Sequence, residues 1–114
     1  MIEKKLELTL LFDFYGELLT EKQEEVMSLY LIDDYGFVEI GENLSISRQA
    51  VYDKIKKSTK MLYDYEDRLG LVKRYNERQL KLMNVVSKLE SLRAYQETDG
   101  LNDIIEEVQA ILSL

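Results

Sequence analysis

Cysteine, histidine and proline are all absent from this 114-residue chain. Without cysteine, the protein forms neither a disulfide nor a thiolate metal site. Without histidine, it lacks the commonest general base, the commonest transition-metal ligand and the usual switch near neutral pH. Proline disrupts helix interiors, so its absence and the presence of only five glycines favour helix. We therefore expect an all-α protein with no metal and no cofactor.

Long apolar runs and catalytic loop motifs are missing as well. No apolar run approaches the roughly 20 residues of a membrane-spanning helix, and residues 1–5 do not resemble the start of a signal peptide. No glycine-rich phosphate loop or nucleophile elbow occurs. The carboxylate pairs Asp33-Asp34 and Glu106-Glu107 have no partner at ligand spacing. We expect a cytoplasmic protein that is not an enzyme and has no membrane contact.

Positive charge is scarce except in one short segment. The net charge is −7, and residues 1–47 contain three Lys/Arg against eleven Asp/Glu. Residues 48–60 reverse this balance, with five basic side chains against Asp53 alone, whereas residues 61–114 have seven against ten. The overall charge opposes phosphate and so argues against a general nucleic-acid coat. A nucleic-acid contact, if present, is therefore expected at residues 48–60.

The N-terminal half is predicted to begin with two helices. Residues 3–19 alternate like a strand at Leu6, Leu8 and Leu10, but a longer helical spacing is also present, and helix is favoured while the strand alternative stays open. Thr20-Glu21-Lys22-Gln23 matches a capping box, which predicts the start of a second helix. Asp33-Asp34-Tyr35-Gly36 is predicted to end it.

Residues 37–60 have the pattern of a helix-turn-helix. A short helix is predicted over Phe37–Leu44, followed by a turn at Ser45-Ile46-Ser47. Ser47 is a good N-cap for a long helix from about Arg48 to Leu69, and Gly70 suits a left-handed residue at its end.

Such a motif needs a small residue where its two helices cross and aliphatic residues that pack the joint. Gly41 is the predicted small residue. The other predicted packing residues are Ile40, Leu44, Ile46, Val51 and Ile55.

The C-terminal part is predicted to form two amphipathic helices, over about residues 71–95 and from residue 101 onwards. Their apolar stripes consist of Val72, Tyr75, Leu82, Val86 and Leu89, and of Leu101, Ile104, Ile105, Val108, Ile111 and Leu112. The two stripes carry more apolar surface than the N-terminal bundle can cover. We therefore expect the C-terminal helices either to pack against the first helix or to form a symmetric homodimer, with the dimer favoured. The predicted organisation is a helix-turn-helix domain at 1–70 and a helical extension at 71–114.

Several segments resemble the YlxM family of small bacterial proteins. They are Leu18–Gln23, Phe37–Ile40 and Ile46–Lys56, and Leu11–Tyr15 fits the family's opening helix, so the resemblance covers about residues 8–70. Gly41 and Ser45 depart from the usual alanine and turn glycine of that family. The family resembles region 4 of sigma factors, which implies a helical bundle containing a helix-turn-helix. Its genes lie beside that of the signal recognition particle GTPase, which implies a regulatory link to the secretion pathway.

The outer face of the second motif helix is the candidate site. Arg and Gln are residue types that read guanine and adenine edges, and a helix N-terminus can meet a phosphate. The predicted nucleic-acid-binding residues are Ser47, Arg48, Gln49, Tyr52, Lys56, Lys57 and Lys60.

Two functions are consistent with this pattern. One is a regulator that binds DNA or RNA. The other is a protein-interaction module that contacts the signal recognition particle GTPase or its ribonucleoprotein. In the second case the lysines only solvate the helix, an interpretation that Asp53 and the net charge of −7 favour.

Overall fold

The computed structural model describes residues 2–95 and 99–114, and this part of the chain forms helices and no strand. The α-helices are α1 (Ile2–Tyr15), α2 (Glu21–Leu31), α3 (Phe37–Leu44), α4 (Arg48–Leu69), α5 (Leu71–Tyr95) and α6 (Asp99–Leu112). The predicted all-α fold class is confirmed. The chain divides into two compact units, Met1–Val72 and Lys73–Leu114. None of the helices in the described ranges combines the length and the apolar character needed to cross a bilayer.

The first segment is helical, so the strand alternative for residues 3–19 is wrong. Leu8, Leu11 and Tyr15 recur at intervals of three and four residues, and all three are buried on one side of α1. After Tyr15 the chain tightens into a 3₁₀ turn over Gly16–Leu18. A Cβ at Gly16 would lie 3.0 Å from the Phe12 ring, so a side chain would be crowded there.

The predicted capping box at the start of α2 is confirmed. The Gln23 amide N–H donates to the Thr20 hydroxyl at 3.3 Å, and the Thr20 N–H donates to the Gln23 side-chain oxygen at 3.1 Å. Two amides that the first turn of a helix leaves without partners are thereby satisfied. The capping box fixes where α2 begins and therefore which of its side chains, Val26, Met27 and Leu31, are buried.

The core of the Met1–Val72 unit is built around α4. Val51, Ile55 and Leu62 lie on one face of this helix, and all are buried. The side chains buried with them come from α1, α2 and α3 and from the segments next to these helices. They are Leu8, Leu11, Tyr15, Leu19, Val26, Met27, Leu31, Ile40 and Val72.

The start of α5 is fixed by side chains distant in sequence. α5 follows directly after Gly70, which has φ 63° and no side chain that could cap the new helix. The Leu71 N–H donates to the Tyr15 hydroxyl at 3.0 Å, and the Val72 N–H donates to the Glu66 carboxylate at 3.0 Å. The Tyr15 hydroxyl in turn donates to Glu66 at 2.6 Å. This network joins the ends of α1 and α4 to the first turn of α5.

The Lys73–Leu114 unit contains the rest of α5 and α6. Val86 and Ile105 are its buried side chains among the residues described. Gln79, which interrupts the apolar stripe in the sequence, is half-buried, and its side-chain amide donates to the Leu112 carbonyl at 3.0 Å. This bond satisfies one of the carbonyls that the end of α6 leaves without a helical partner.

Several large apolar side chains of the helices are exposed, and two of them, Ile104 and Ile111, were predicted to belong to a buried stripe. Val38 is 54% exposed, Leu69 46%, Ile104 48% and Ile111 47%. Neighbouring residues of a helix point about 100° apart, so burial of Ile105 turns Ile104 towards solvent. Val38 likewise lies about 200° from the buried Ile40. Leu69 is the last residue of α4, where the chain leaves the core.

Candidate nucleic-acid interface

A three-residue turn connects the two helices of the motif. Ser45 has φ 57° and ψ 43°, the left-handed conformation that ends α3. The N–H groups of Ser45 and Ile46 both donate to the Gly41 carbonyl, the latter at 3.0 Å. The Ser47 hydroxyl then accepts from the Ala50 N–H at 3.0 Å and caps α4. Because both helix ends are satisfied within the turn, the direction of α4 relative to α3 is well defined.

Gly41 lies where α3 meets the turn and the start of α4. A Cβ on this residue would lie 2.8 Å from the Ile46 carbonyl oxygen, too close for any side chain unless the backbone moves. Ile40 and Val51 are fully buried on the two helices, and Ile55 is buried one turn further along α4. Leu44 and Ile46 are half-buried at the edge of this joint. The six predicted packing residues are thus brought together at one crossing.

The opposite face of α4 is exposed. Every residue predicted to bind nucleic acid is exposed, and all of them lie at the N-cap or in the first four turns. They are Ser47, Arg48, Gln49, Tyr52, Lys56, Lys57 and Lys60. Gln49, Lys56 and Lys60 follow one stripe, whereas Lys57 lies about 100° further around the helix. The remaining lysine of the segment, Lys54, is half-buried and faces a groove on another side, lined also by Lys22 and Glu25.

An aromatic pair borders the exposed face. The rings of Phe37 and Tyr52 meet edge to face with centroids 6.1 Å apart. These two residues line a shallow concavity together with Arg48 and Gln49. This geometry holds Tyr52 beside the first turn of α4, where a ligand that approaches the helix N-terminus would meet it.

Comparison with known proteins assigns the chain to a protein family. A family model described as "Putative helix-turn-helix protein, YlxM / p13 like" (UPF0122) matches residues 2–104. The chain belongs to this family. A UPF0122 protein of Bacillus mycoides (strain KBAB4) is 42% identical over 113 residues, which cover 97% of this chain and 99% of the relative. A UPF0122 protein of Thermoanaerobacter sp. (strain X514) is 45% identical over 101 residues, 89% of this chain and 86% of the relative.

The YlxM / p13-like resemblance expected from the sequence is therefore confirmed, and it extends further than residues 8–70. The match runs through α5 and into α6. The family match thus includes residues of both units of the chain.

Sequence reasoning missed Asp53 as a partner within the candidate interface of this YlxM-like chain. The Gln49 side-chain amide donates to the Asp53 carboxylate at 3.0 Å, and both residues are exposed. Residues four apart on a helix are surface neighbours, so their spacing was the available signal. The sequence showed Asp53 only as a negative charge among lysines.

Within the acidic pair Asp33-Asp34, Asp34 forms an ion pair that links the end of α2 to α1. Asp34 follows the end of α2 with φ 57°, and its carboxylate forms an ion pair with Lys5 on α1. The hydrogen bond from Lys5 and its positive charge lower the pKa of Asp34. Within residues 2–95 and 99–114, no group of three or more acidic side chains is arranged to hold a metal ion.

Proposed function

We propose that this YlxM / p13-like protein is a cytoplasmic, non-enzymatic regulator that binds duplex DNA through the exposed face of α4. One observation supports this more than any other. The basic segment of a chain with net charge −7 coincides with the exposed N-terminal half of the second motif helix. The second helix of such a motif is the one that lies in the DNA major groove.

The proposed contacts divide by chemistry. Lys56, Lys57 and Lys60 neutralise phosphates and fix the position of the helix, which contributes affinity but no sequence preference. Ser47 and the first amides of α4 meet a phosphate at the helix N-terminus. Arg48 adds positive charge for a phosphate beside the first turn of α4, and the side chain of Gln49 reaches a base edge. Tyr52, which packs against Phe37, contacts the wall of the DNA major groove.

The acidic remainder of the chain does not prevent this contact at physiological salt. The Debye length at 0.15 M salt is about 8 Å, so exposed charges further away than this are largely screened. The basic side chains of α4 span about four turns, or roughly 20 Å. A phosphate docked on this face is therefore screened from distant acidic residues and interacts with the basic side chains, with Asp53 and Glu42 as nearby opposing charges.

A salt titration tests the proposal. The measurement is the fluorescence anisotropy of a labelled duplex with the unmutated protein between about 50 and 200 mM salt. We expect binding that weakens steeply with salt. Arg48→Ala and Lys56→Ala should each weaken binding to any sequence and reduce the salt slope by about 1. Gln49→Ala should change sequence preference and leave the slope unchanged, since an amide neutralises no phosphate.

Matched controls come from the other unit. Arg78 and Lys88 are exposed basic residues of α5, and their replacement by alanine removes the same charge from a different helix. These variants should keep the salt slope of the unmutated protein. Equal losses in both pairs of variants would mean that net charge, and not the α4 face, governs binding. Absence of binding at the lowest salt would refute the proposal.

A second candidate function is a protein contact with the signal recognition particle GTPase or its ribonucleoprotein. The observation that favours it is the set of exposed apolar side chains in the Lys73–Leu114 unit, namely Leu80, Met83, Val85, Leu92, Ile104 and Ile111. Exposed apolar side chains that lie next to one another are typical of protein interfaces, and Leu80 and Met83 lie three residues apart on one side of α5. A pull-down from nuclease-treated and untreated lysate separates the candidates. Recovery of the GTPase that survives nuclease and high salt supports the second, whereas recovery lost with nuclease refutes a direct protein contact.

A further inference from the structure

Asp53 is the one acidic side chain of the basic segment at residues 48–60, and it lies on the exposed face. A carboxylate there repels phosphate and so weakens any DNA contact. Among the described residues, its hydrogen-bond partner is Gln49, at 3.0 Å, and no lysine or arginine lies within ion-pair distance of it. Its contact is thus with the amide in the first turn of α4 and not with the neighbouring cations.

This hydrogen bond restricts the amide of Gln49 to one orientation. The terminal torsion of glutamine is broad, and a free amide can present its oxygen or its nitrogen on a given side. A carboxylate accepts hydrogen bonds and donates none when ionised, so it cannot pair with the amide oxygen. The flipped orientation would place two oxygens against each other. The amide nitrogen is therefore held towards Asp53.

The hydrogen-bonding groups of the Gln49 amide that Asp53 does not use are complementary to adenine. The amide nitrogen has two hydrogens, of which one is bound to Asp53. Where Asp53 takes the hydrogen that points away from the amide oxygen, the second hydrogen and the oxygen remain side by side as a donor and an acceptor. Adenine presents the complementary pair in the major groove, with N7 as acceptor and the N6 amino group as donor. Guanine presents two acceptors, which the amide oxygen would oppose.

We infer that Asp53 is a positioning residue that holds the Gln49 amide in the orientation that reads adenine in a DNA major groove. The inference rests on the proposed DNA-binding function. Asp53 acts through Gln49, so its repulsion of phosphate is offset by a gain in sequence preference.

The test measures preference and total affinity separately. The probe is a duplex library randomised over about one helical turn (~10 bp), selected with the unmutated protein. Affinities are then compared for the selected duplex and for one in which the preferred adenine pair is replaced by a guanine pair. We expect about tenfold preference for adenine in the unmutated protein, within the range of one bidentate contact.

Asp53→Ala should reduce that preference several-fold, because the amide can then rotate. At low salt, where screening is weak, it should also raise affinity for all sequences by up to about twofold, as removal of one like charge roughly 10 Å from a phosphate does in water. Asp53→Asn should raise affinity similarly but keep part of the preference, since its carbonyl still accepts from Gln49. Asp64→Ala, at an exposed aspartate further along α4, is the matched control and should keep the full preference.

A double-mutant cycle shows whether Asp53 acts through Gln49. In a Gln49→Ala background, Asp53→Ala should have no further effect on the adenine preference. A further loss in that background would overturn the inference, as would full preference in Asp53→Ala alone. Either result leaves DNA binding intact. Absence of any binding at low salt overturns the proposed function and, with it, the positioning role.

Discussion

Replacement of Ser45 by glycine should stabilise the protein. Ser45 ends α3 at φ 57° and ψ 43°, and its side chain is exposed. An L-residue in this region costs roughly 1–2 kcal/mol, because its Cβ approaches the neighbouring carbonyl oxygen. Glycine avoids this cost but loses about 0.5–1 kcal/mol through the greater freedom of its unfolded chain. The balance predicts that Ser45→Gly raises the free energy of unfolding by about 0.8 kcal/mol, within a range of roughly 0–1.5 kcal/mol.

Urea unfolding followed by far-ultraviolet circular dichroism measures the change, with the slope m as a check on two-state behaviour. Two variants separate backbone from side-chain effects. Ser45→Ala keeps a Cβ and should be close to neutral. Ser47→Ala removes the hydroxyl that accepts from Ala50 and should lower stability by about 1 kcal/mol. A lower midpoint for Ser45→Gly at unchanged m, or an equal gain in Ser45→Ala, would refute the reasoning from backbone strain.

Four further outcomes are expected. Gly41→Ala should lower stability by about 1–3 kcal/mol in chemical denaturation even though alanine is the better helix former, because its Cβ meets the Ile46 carbonyl. Val51→Asp should abolish the cooperative thermal transition, since it buries an unpaired carboxylate at a fully buried position. Burial raises the pKa of Tyr15 above its usual 10.0, so the stability that it contributes is fully present below pH 10 and is lost above it. Denaturation at stepped alkaline pH should therefore show a decline of at most about 1.4 kcal/mol per pH unit from this group, a decline that Tyr15→Phe removes. Sedimentation equilibrium at tens of micromolar (~10⁻⁵ M) should show twice the mass of one chain, and a monomer there would exclude the dimer.

Local signals in the sequence determined where several helices begin and end. The capping box of α2, the Ser47 cap of α4 and the left-handed Gly70 each depend on contacts within about four residues. The spacing of apolar residues also indicated Val51 and Ile40 as core, because a helix has a fixed periodicity. The motif and the exposed basic face of α4 followed from these two kinds of pattern.

The same rules were insufficient at the edges of each apolar stripe. Periodicity places Ile104 and Ile105 within one stripe, but which of the two is buried depends on how the helix is rotated against its neighbours. The sequence also gave no reason to expect Ser58 to be fully buried in α4, with its hydroxyl lacking a hydrogen-bond partner among the described residues. Helix rotation is set by packing between elements, which a linear pattern does not contain.

Contacts between residues far apart in the chain were decided by the tertiary structure alone. Tyr15 and Glu66 are 51 residues apart, yet together they cap α5, and the buried amide of Gln23 lies 3.4 Å from the sulfur of Met61. The close approach at Gly41 depends on the path of the turn that follows it. The sequence by itself determined the helices and the position of the basic segment, because those depend on neighbours along the chain. Only the folded chain determined the Tyr15–Glu66 cap and the helix crossing, because each requires that separate segments meet.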